Sequence, residues 1–147
     1  MKSLLTNSQI PLKILLVEDD DGDAQAILRA FAKAAISSTI TRAVDGVEAF
    51  EMLRGTDGRA KIPPPHILLV DLNMPRMNGI QFVRALREDA EFHPLIVFIL
   101  TTSKRDEDRV DAYDLNVAGY ITKQRAAEDF LTLVNLVGIY DQIVEFP

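Results

Sequence analysis

The chain has 147 residues, of which 48% are hydrophobic and 26% charged, a composition typical of one globular domain rather than of a disordered segment. Its formal net charge of −6 argues against a nucleic-acid partner, because affinity for phosphate backbones depends on clustered Lys and Arg. The absence of cysteine excludes disulfides, thiolate nucleophiles and cysteine-ligated zinc. No apolar run is long enough to span a bilayer, and the N-terminus lacks the apolar core of a secretion signal, so we expect a cytoplasmic location without membrane attachment.

Short apolar runs alternate with amphipathic segments along the chain. Three runs lack strict alternation, which is typical of strands buried on both faces of a parallel sheet, and two weaker candidates make five strands. In chain order the predicted strands are Ile14–Val17, Thr39–Ala43, Ile67–Val70, Leu95–Leu100 and Val117–Ile121. The predicted helices between them are Ala24–Ala35, Val47–Leu53, Ile80–Leu86 and Val110–Leu115, and one more helix follows the last strand. This alternation predicts an α/β fold: one domain with a doubly wound, five-stranded parallel sheet flanked by five helices, a core over about residues 12–143 and a C-terminal tail at 144–147.

Polar side chains follow four of the predicted strands at the point where each strand ends. Glu18–Asp20 follow the first strand, Asp71 the third, Thr101 and Thr102 the fourth, and Lys123 the fifth. Ligands of doubly wound sheets bind beyond the carboxyl ends of the strands. We therefore expect acids, hydroxyls and an amine to meet at one edge of the sheet.

Carboxylates from two strand ends repel one another, and a hard divalent cation relieves that repulsion. Oxygen ligands favour Mg²⁺, with Asp19 and Asp71 as direct ligands and Glu18 binding directly or through water. A hydroxyl from Thr101 and the ammonium of Lys123 beside the metal would balance the charge of a dianionic phosphoryl group. The pattern therefore predicts a phosphoryl-accepting site that depends on Mg²⁺.

Each of these features also has an ordinary structural explanation. The acidic trio could be a solvated helix entry, in which Asp20, Asp21 or Asp23 caps the following helix. Thr101 could satisfy a backbone group at a strand end, and Lys123 could be a solvated surface lysine. Their occurrence at the same end of successive strands favours the functional interpretation.

The sequence resembles the receiver domains of two-component response regulators from about Leu12 to Ile143. Four segments carry the resemblance: ILLVEDD at the first strand, LLVDLNMPRMNG around Asp71, FILTTS leading into Thr101, and GYITK ending at Lys123. Together these segments are highly specific, although each alone would be weak.

The resemblance implies a role for each residue of the predicted site. Asp71 would be the phosphoacceptor, and the backbone carbonyl of Asn73 would join the side chains of the acids on Mg²⁺. Lys123 would pair with phosphoryl oxygens, and the Thr101 hydroxyl would be drawn toward the phosphoryl group. Tyr120 matches an aromatic position that moves inward when that hydroxyl shifts, so Thr101 and Tyr120 would form the switch.

The resemblance also implies the geometry of two loops. Met74-Pro75 and Gly79 would shape the turn into the third helix, with Gly79 allowing close approach of the backbone. Receivers usually place proline after the lysine, often with a cis peptide, whereas this chain has Gln124. A cis bond before a residue other than proline costs roughly 3 kcal/mol, so this bond is either trans or strained.

Several features resemble the receivers that partner bacterial phytochromes. They are the polar insert Arg54–Pro65, the segment TTSKRDEDRVDAYDLNV, the missing proline and the short apolar tail. The insert alone could equally be a tolerated surface loop. This likeness implies that the phosphodonor is a phosphohistidine on a histidine kinase, specifically a bacteriophytochrome. His66 and His93 flank strands, and we expect them to be loop or strand-edge residues rather than donors.

The last predicted helix carries two apolar stripes. Phe130 begins a stripe that can cover the sheet, whereas Leu136, Ile139 and Ile143 lie on nearly the opposite side. A helix packed on one side should be polar on the other, so the second stripe and the apolar tail predict a homodimer. Alternatively, these residues fold back onto their own domain. No DNA-binding segment follows Lys123, so we expect a stand-alone receiver whose output comes from its own surface.

Two other functions would use parts of the same pattern. A phosphatase with Asp71 as a transient nucleophile needs a second acid two residues later, and this chain has Asn73 there. A degenerate receiver could act as a scaffold without phosphorylation, but the intact set of Asp19, Asp71, Thr101 and Lys123 argues against that. We therefore expect a signalling protein that catalyses only its own phosphorylation and dephosphorylation.

Overall fold

The computed structural model describes residues 12–34, 36, 38–56 and 58–137. Five parallel strands form one sheet in the order β2-β1-β3-β4-β5. The strands are β1 (Leu12–Val17), β2 (Ser38–Ala43), β3 (Ile67–Asp71), β4 (Ile96–Thr101) and β5 (Gly119–Thr122). The helices are α1 (Asp21–Lys33), α2 (Gly46–Arg54), α3 (Gly79–Glu88), α4 (Lys104–Tyr113) and α5 (Ala126–Val137). The predicted doubly wound fold is confirmed.

Apolar side chains cover both faces of the sheet. On one face, Leu15 and Val17 of β1 pack with the buried residues of α2 and α3, such as Phe50 and Phe82. On the other face, β1 and β4 pack against α1 and α5, and Phe130 of α5 lies with its ring centroid 5.2 Å from that of Phe31. Burial on both faces explains why the three central strands show no alternation of polar and apolar residues.

Polar caps begin the first three helices. Asp20 accepts a hydrogen bond from the backbone N–H of Asp23 at 2.7 Å and caps α1. Asp45 caps α2 in the same way through the N–H of Glu48. Asn78 and Gln81 form a reciprocal capping box at α3. These caps place the helix entries beside the carboxyl ends of β1, β2 and β3.

The prediction for the fourth helix was wrong at its start. The apolar spacing indicated Val110–Leu115, but α4 begins at Lys104 and ends at Tyr113, before Asp114, which has a φ of 50°. The first six residues of α4 are charged, so they carry no apolar period that could mark a helix. Instead, the carboxylate of Asp106 accepts hydrogen bonds from the backbone N–H and the hydroxyl of Thr102, at 3.0 and 3.2 Å, and these bonds tie the first turn of α4 to the end of β4.

The polar insert before β3 is attached to α2. Arg59 forms ion pairs with Glu48 and Glu51 of that helix. The backbone N–H of Ile62 donates to the carbonyl of Met52 at 3.0 Å. The insert therefore follows the outer side of α2 before the chain enters β3.

The predicted dimer surface involves residues outside the described part of the chain. The apolar stripe of Leu136, Ile139 and Ile143 and the tail at 144–147 lie outside the residues whose side chains the structure describes, so the predicted dimer surface stays a prediction. Within the part that is described, no helix has the length and apolar character needed to cross a membrane.

Candidate functional site

Three carboxylates meet where β1 and β3 end. Glu18 and Asp19 directly follow β1, and Asp71 is the last residue of β3, the neighbouring strand. One oxygen from each carboxylate lies within 4.8 Å of the other two. Glu18 and Asp71 are buried and Asp19 is exposed, so the cluster opens to solvent on one side.

Lys123 brings one positive charge to this cluster. Its Nζ atom lies 2.8 Å from Oε1 of Glu18, 3.1 Å from Oδ1 of Asp71 and 2.9 Å from Oδ2 of Asp23. The ammonium sits at the start of a short 3₁₀ turn over Lys123–Arg125 that follows β5. Three acids at the strand ends and a fourth on α1 exceed the single cation, so the site carries excess negative charge.

The bond between Lys123 and Gln124 is trans, as is every peptide bond of the described residues. The absence of the usual proline therefore does not remove Lys123 from the site, and no strained peptide is needed to place it there.

The acids fit a divalent cation. Within the described residues, Oε1 of Glu18 is fully buried and has no hydrogen-bond partner, although it forms an ion pair with Lys123. Carboxylate oxygens are the donors that Mg²⁺ prefers, and three of them converge here.

Burial and crowding shift the protonation of these groups. Burial, assisted by the charge of Asp71, raises the pKa of Glu18 to about 7 against the opposing effect of Lys123. Burial also raises the pKa of Asp71, although Lys123 opposes that shift. Burial alone would lower the pKa of Lys123, but its contacts with Glu18 and Asp23 outweigh burial and raise that pKa above its ordinary value, so the ammonium stays charged.

Arg42 of β2 fixes the backbone that carries the first two acids. Its guanidinium donates to the carbonyl oxygens of Glu18 at 2.9 Å and Asp19 at 3.0 Å, and it forms an ion pair with Asp21. The arginine thus holds the turn between β1 and α1 in place from the neighbouring strand.

The loop after β3 approaches its own backbone closely at Gly79. A Cβ atom at this position would lie 2.3 Å from the carbonyl oxygen of Asp71. This distance is too short for any side chain. The predicted close approach at Gly79 is therefore confirmed. Asn73 lies in this loop, between the end of β3 and the start of α3.

The same loop is tied to the start of α2. Arg76, with a φ of 60°, donates two hydrogen bonds to the buried carboxylate of Asp45, at 2.7 and 3.1 Å. Burial opposes ionisation of Asp45, but the hydrogen bonds from Arg76 and Glu48 outweigh it and lower its pKa. A left-handed backbone is uncommon at a residue other than glycine. Arg76 adopts it in the same loop from which its side chain reaches Asp45.

The two threonines after β4 differ in their surroundings. Thr101 is buried and lies beside Thr122 of β5, one residue before Lys123. The hydroxyl of Thr102 donates a hydrogen bond to the carboxylate of Asp106. Of the two threonines, Thr101 is therefore the one at the carboxyl end of β4, next to the strand that leads into Lys123.

Tyr120 and the two histidines occupy the positions expected from the sequence. Tyr120 is half-buried in β5, and its phenol donates to the carboxylate of Asp111 on α4. His66 directly precedes β3 and its Nδ1 accepts from the backbone N–H of Lys13, whereas His93 is exposed in the loop before β4.

The structure thus brings together Glu18, Asp19, Asp71 and Lys123, and it places Thr101 on the strand between β3 and β5. Sequence reasoning missed Asp23, which it considered only as a helix cap and which instead pairs with Lys123. It also missed the contacts of Arg42 and Arg76, since no local pattern marks an arginine that reaches across strands or loops.

A parallel sheet in the order 2-1-3-4-5, with acids, a hydroxyl and a lysine at its carboxyl edge, defines the receiver class of signalling proteins. The chain belongs to the response regulator receiver domain family, because the sequence model of that family matches residues 14–135.

Similar proteins include response regulators, two of which are named for phytochromes. The chain is 29% identical to the response regulator Rcp1 of Synechocystis sp. over 86% of each protein, and a structure of the Mn²⁺-bound form of Rcp1 matches with a TM-score of 0.68 over 84% of this chain and 89% of that chain. The bacteriophytochrome response regulator AtBRR matches with a TM-score of 0.81 and 26% identity over 89% of this chain and 95% of that chain. The phosphorylated cyanobacterial phytochrome response regulator RcpA matches with a TM-score of 0.71 and 30% identity, over 89% and 94% respectively. The chain is therefore a receiver-domain response regulator similar to those of phytochrome systems.

Proposed function

We propose that a histidine kinase phosphorylates this chain on Asp71 and that the phosphoryl group switches the surface of the domain for partner binding. The observation that carries the proposal is the contact of Lys123 with Asp71 inside a cluster of three acids. A lone carboxylate on a strand end would not need a buried lysine and two further acids beside it.

The chemistry follows from the positions of the side chains. A carboxylate oxygen of Asp71 attacks the phosphorus of a phosphohistidine; the new P–O bond forms as the P–N bond breaks, and the departing imidazole nitrogen recovers a proton from solvent. Mg²⁺ held by Glu18, Asp19, Asp71 and the carbonyl of Asn73 would supply charge that offsets the phosphoryl oxygens. Lys123 donates to those oxygens, and the hydroxyl of Thr101 is drawn toward them.

The switch element is a proposal of the same kind. Movement of Thr101 toward the phosphoryl group would open space behind it, and Tyr120 would turn inward from its half-buried position. The added charge of the phosphoryl group would act locally on Thr101, and the resulting movement of Tyr120 would change the surface formed by α4 and β5.

Phosphorylation can be tested with Mg²⁺ and acetyl phosphate, followed by intact mass. We expect one phosphoryl adduct on the wild type and none on Asp71→Asn, while Asp89→Asn, which removes an acid at the opposite end of α3, keeps the adduct. An adduct that persists in Asp71→Asn would refute the assignment. Repeated turnover of a small phosphoester, rather than stoichiometric uptake, would favour a phosphatase, and absence of any adduct on the wild type would favour a scaffold.

The kinase partner is proposed to be a bacteriophytochrome. The likeness to AtBRR and RcpA supports this choice. Phosphotransfer profiling against a panel of purified kinases tests it: we expect the fastest transfer from a light-regulated kinase, and equal or faster transfer from kinases without a chromophore would contradict it.

A homodimer through the last predicted helix and the tail at 144–147 is also proposed, because the sequence predicts two apolar stripes for that helix. Sedimentation at low micromolar concentration should show a dimer. A monomer that persists after phosphorylation would refute it.

A further inference from the structure

Lys123 shares its ammonium among three carboxylates, and one of them lies outside the cluster that fits a metal. Asp23, in the first turn of α1, accepts a hydrogen bond from Nζ at 2.9 Å across 100 residues of sequence. Nζ also contacts Glu18 at 2.8 Å and Asp71 at 3.1 Å, so the three carboxylates share one ammonium group.

Asp23 differs from the other acids in its surroundings. Its side chain is 47% exposed, and it does not belong to the group of carboxylates whose oxygens converge within metal-binding distance. It borders a cavity of about 220 Å³ together with Lys123, Gln124, Thr102 and Ala26. Asp23 therefore stands on the open side of the lysine, where a small phosphodonor or water has access.

We propose that Asp23 is a positioning residue that holds Lys123 in the unphosphorylated protein and opposes the accumulation of the phosphoryl group. This inference rests on the proposed function. A phosphoryl group on Asp71 adds negative charge and needs N–H donors from Lys123, and Asp23 occupies one of those donors. The carboxylate of Asp23 also repels the phosphoryl oxygens, and it is not one of the three carboxylates that would hold a metal.

The charge of Asp23, rather than its shape, sets the effect. Asp23→Asn keeps the size and can still accept a hydrogen bond, but it removes the charge. A unit charge a few Å from the phosphoryl group, screened by solvent, changes the equilibrium roughly three- to tenfold. We therefore expect Asp23→Asn to lower the acetyl phosphate concentration for half-maximal phosphorylation by that factor.

The experiment measures this half-maximal concentration by intact mass, at saturating Mg²⁺ and at two salt concentrations. Asp23→Asn should reach half-maximal phosphorylation at a lower concentration, and Asp23→Glu, which restores the charge, should stay near the wild type. Salt should promote phosphorylation of the wild type more than of Asp23→Asn, because it screens the repulsion. A purely structural role would not produce this salt dependence.

Asp21→Asn is the matched control. Asp21 lies in the same helical turn and its side chain pairs with Arg42, not with Lys123. We expect it to behave as the wild type. The inference is overturned if Asp23→Asn phosphorylates as the wild type does or less well, or if Asp21→Asn produces the same gain. In either case the wild type still takes up phosphoryl, so the proposed function survives; a wild type that takes up none refutes both.

Discussion

The phenol of Tyr120 donates a hydrogen bond to the carboxylate of Asp111, which joins strand β5 to helix α4 at the predicted switch position. The carbonyl oxygen of Glu107, one turn earlier on α4, lies 3.4 Å from the same phenol oxygen. Burial, followed by the bond to Asp111, raises the pKa of Tyr120 well above its ordinary value. The hydrogen bond to Asp111 therefore holds the ring toward α4, and an inward movement of the ring would break that bond.

The Tyr120–Asp111 pair can be measured with a double-mutant cycle. Asp111→Ala should lower the free energy of unfolding by about 1 kcal/mol, because a hydrogen bond to a charged acceptor is lost at a partly exposed site. In a Tyr120→Phe background the same substitution should cost much less. Asp108→Ala, an exposed acid on the same helix, serves as the control for helix propensity. Equal costs of Asp111→Ala in both backgrounds, measured by urea unfolding, would show that the two side chains are not coupled.

The raised pKa of Glu18 predicts how the metal-free protein responds to pH. The folded state holds the proton of Glu18 up to about pH 7, whereas the unfolded chain releases it near the ordinary value of 4.5. Between these values the folded state binds more protons, so a rise in pH lowers the free energy of unfolding, by at most about 3 kcal/mol from this group. Urea unfolding in EDTA at pH 5 and pH 7.5 should show this loss for the wild type and a smaller one for Glu18→Gln. A Glu18→Gln profile that parallels the wild type would contradict the assignment.

Mg²⁺ binding should depend on pH for the same reason. The cation needs Glu18 and Asp71 ionised, and burial raises the pKa of both. We expect the affinity to fall as pH drops below 7 and binding to release protons. Calorimetry in two buffers of different ionisation enthalpy counts those protons. Binding without proton release at pH 6.5 would indicate that Glu18 is already ionised.

Asp45 has two roles: it caps α2, and it holds the loop after β3 through Arg76. Two substitutions of Asp45 can distinguish these roles. Asp45→Asn keeps an acceptor for the N–H of Glu48 but loses the charge, whereas Asp45→Ala loses both. We expect Asp45→Ala to be less stable than Asp45→Asn by about 1 kcal/mol, the usual contribution of a helix cap. Thermal or urea unfolding of the two variants tests this. Equal stability would mean that the cap contributes nothing here.

Gly79 should tolerate no side chain. The Cβ of Gly79→Ala would overlap the carbonyl of Asp71, so the loop that carries Asn73 would have to move. We expect the substitution to lower the free energy of unfolding by about 3 kcal/mol. Gly22→Ala in the first turn of α1 is the control, because its Cβ would meet only the side-chain oxygen of Asp20 at 3.2 Å. We expect Gly22→Ala to change stability by less than about 1 kcal/mol. Similar unfolding midpoints for the two variants would show that the close approach at Gly79 is not rigid.

Local patterns along the chain predicted most of the fold. The runs around Leu15, Leu69 and Phe98 are continuous in apolar residues because both faces of those strands are covered, and that property is visible without a structure. The start of α4 escaped prediction because its first six residues are charged and show no apolar period, and its first turn is held by the hydrogen bonds of Asp106 with Thr102, just after β4.

The sequence by itself determined the five strands, three of the four helices for which it predicted bounds to within a few residues, and the set of acids, threonine and lysine that ends the strands. It could do so because secondary structure and strand-end position follow from local periodicity. Only the tertiary structure decided that Lys123 binds Asp23 and that Arg76 binds Asp45. Pairs so far apart in sequence leave no periodic trace, and which carboxylate a cation reaches depends on the packing of helices against the sheet.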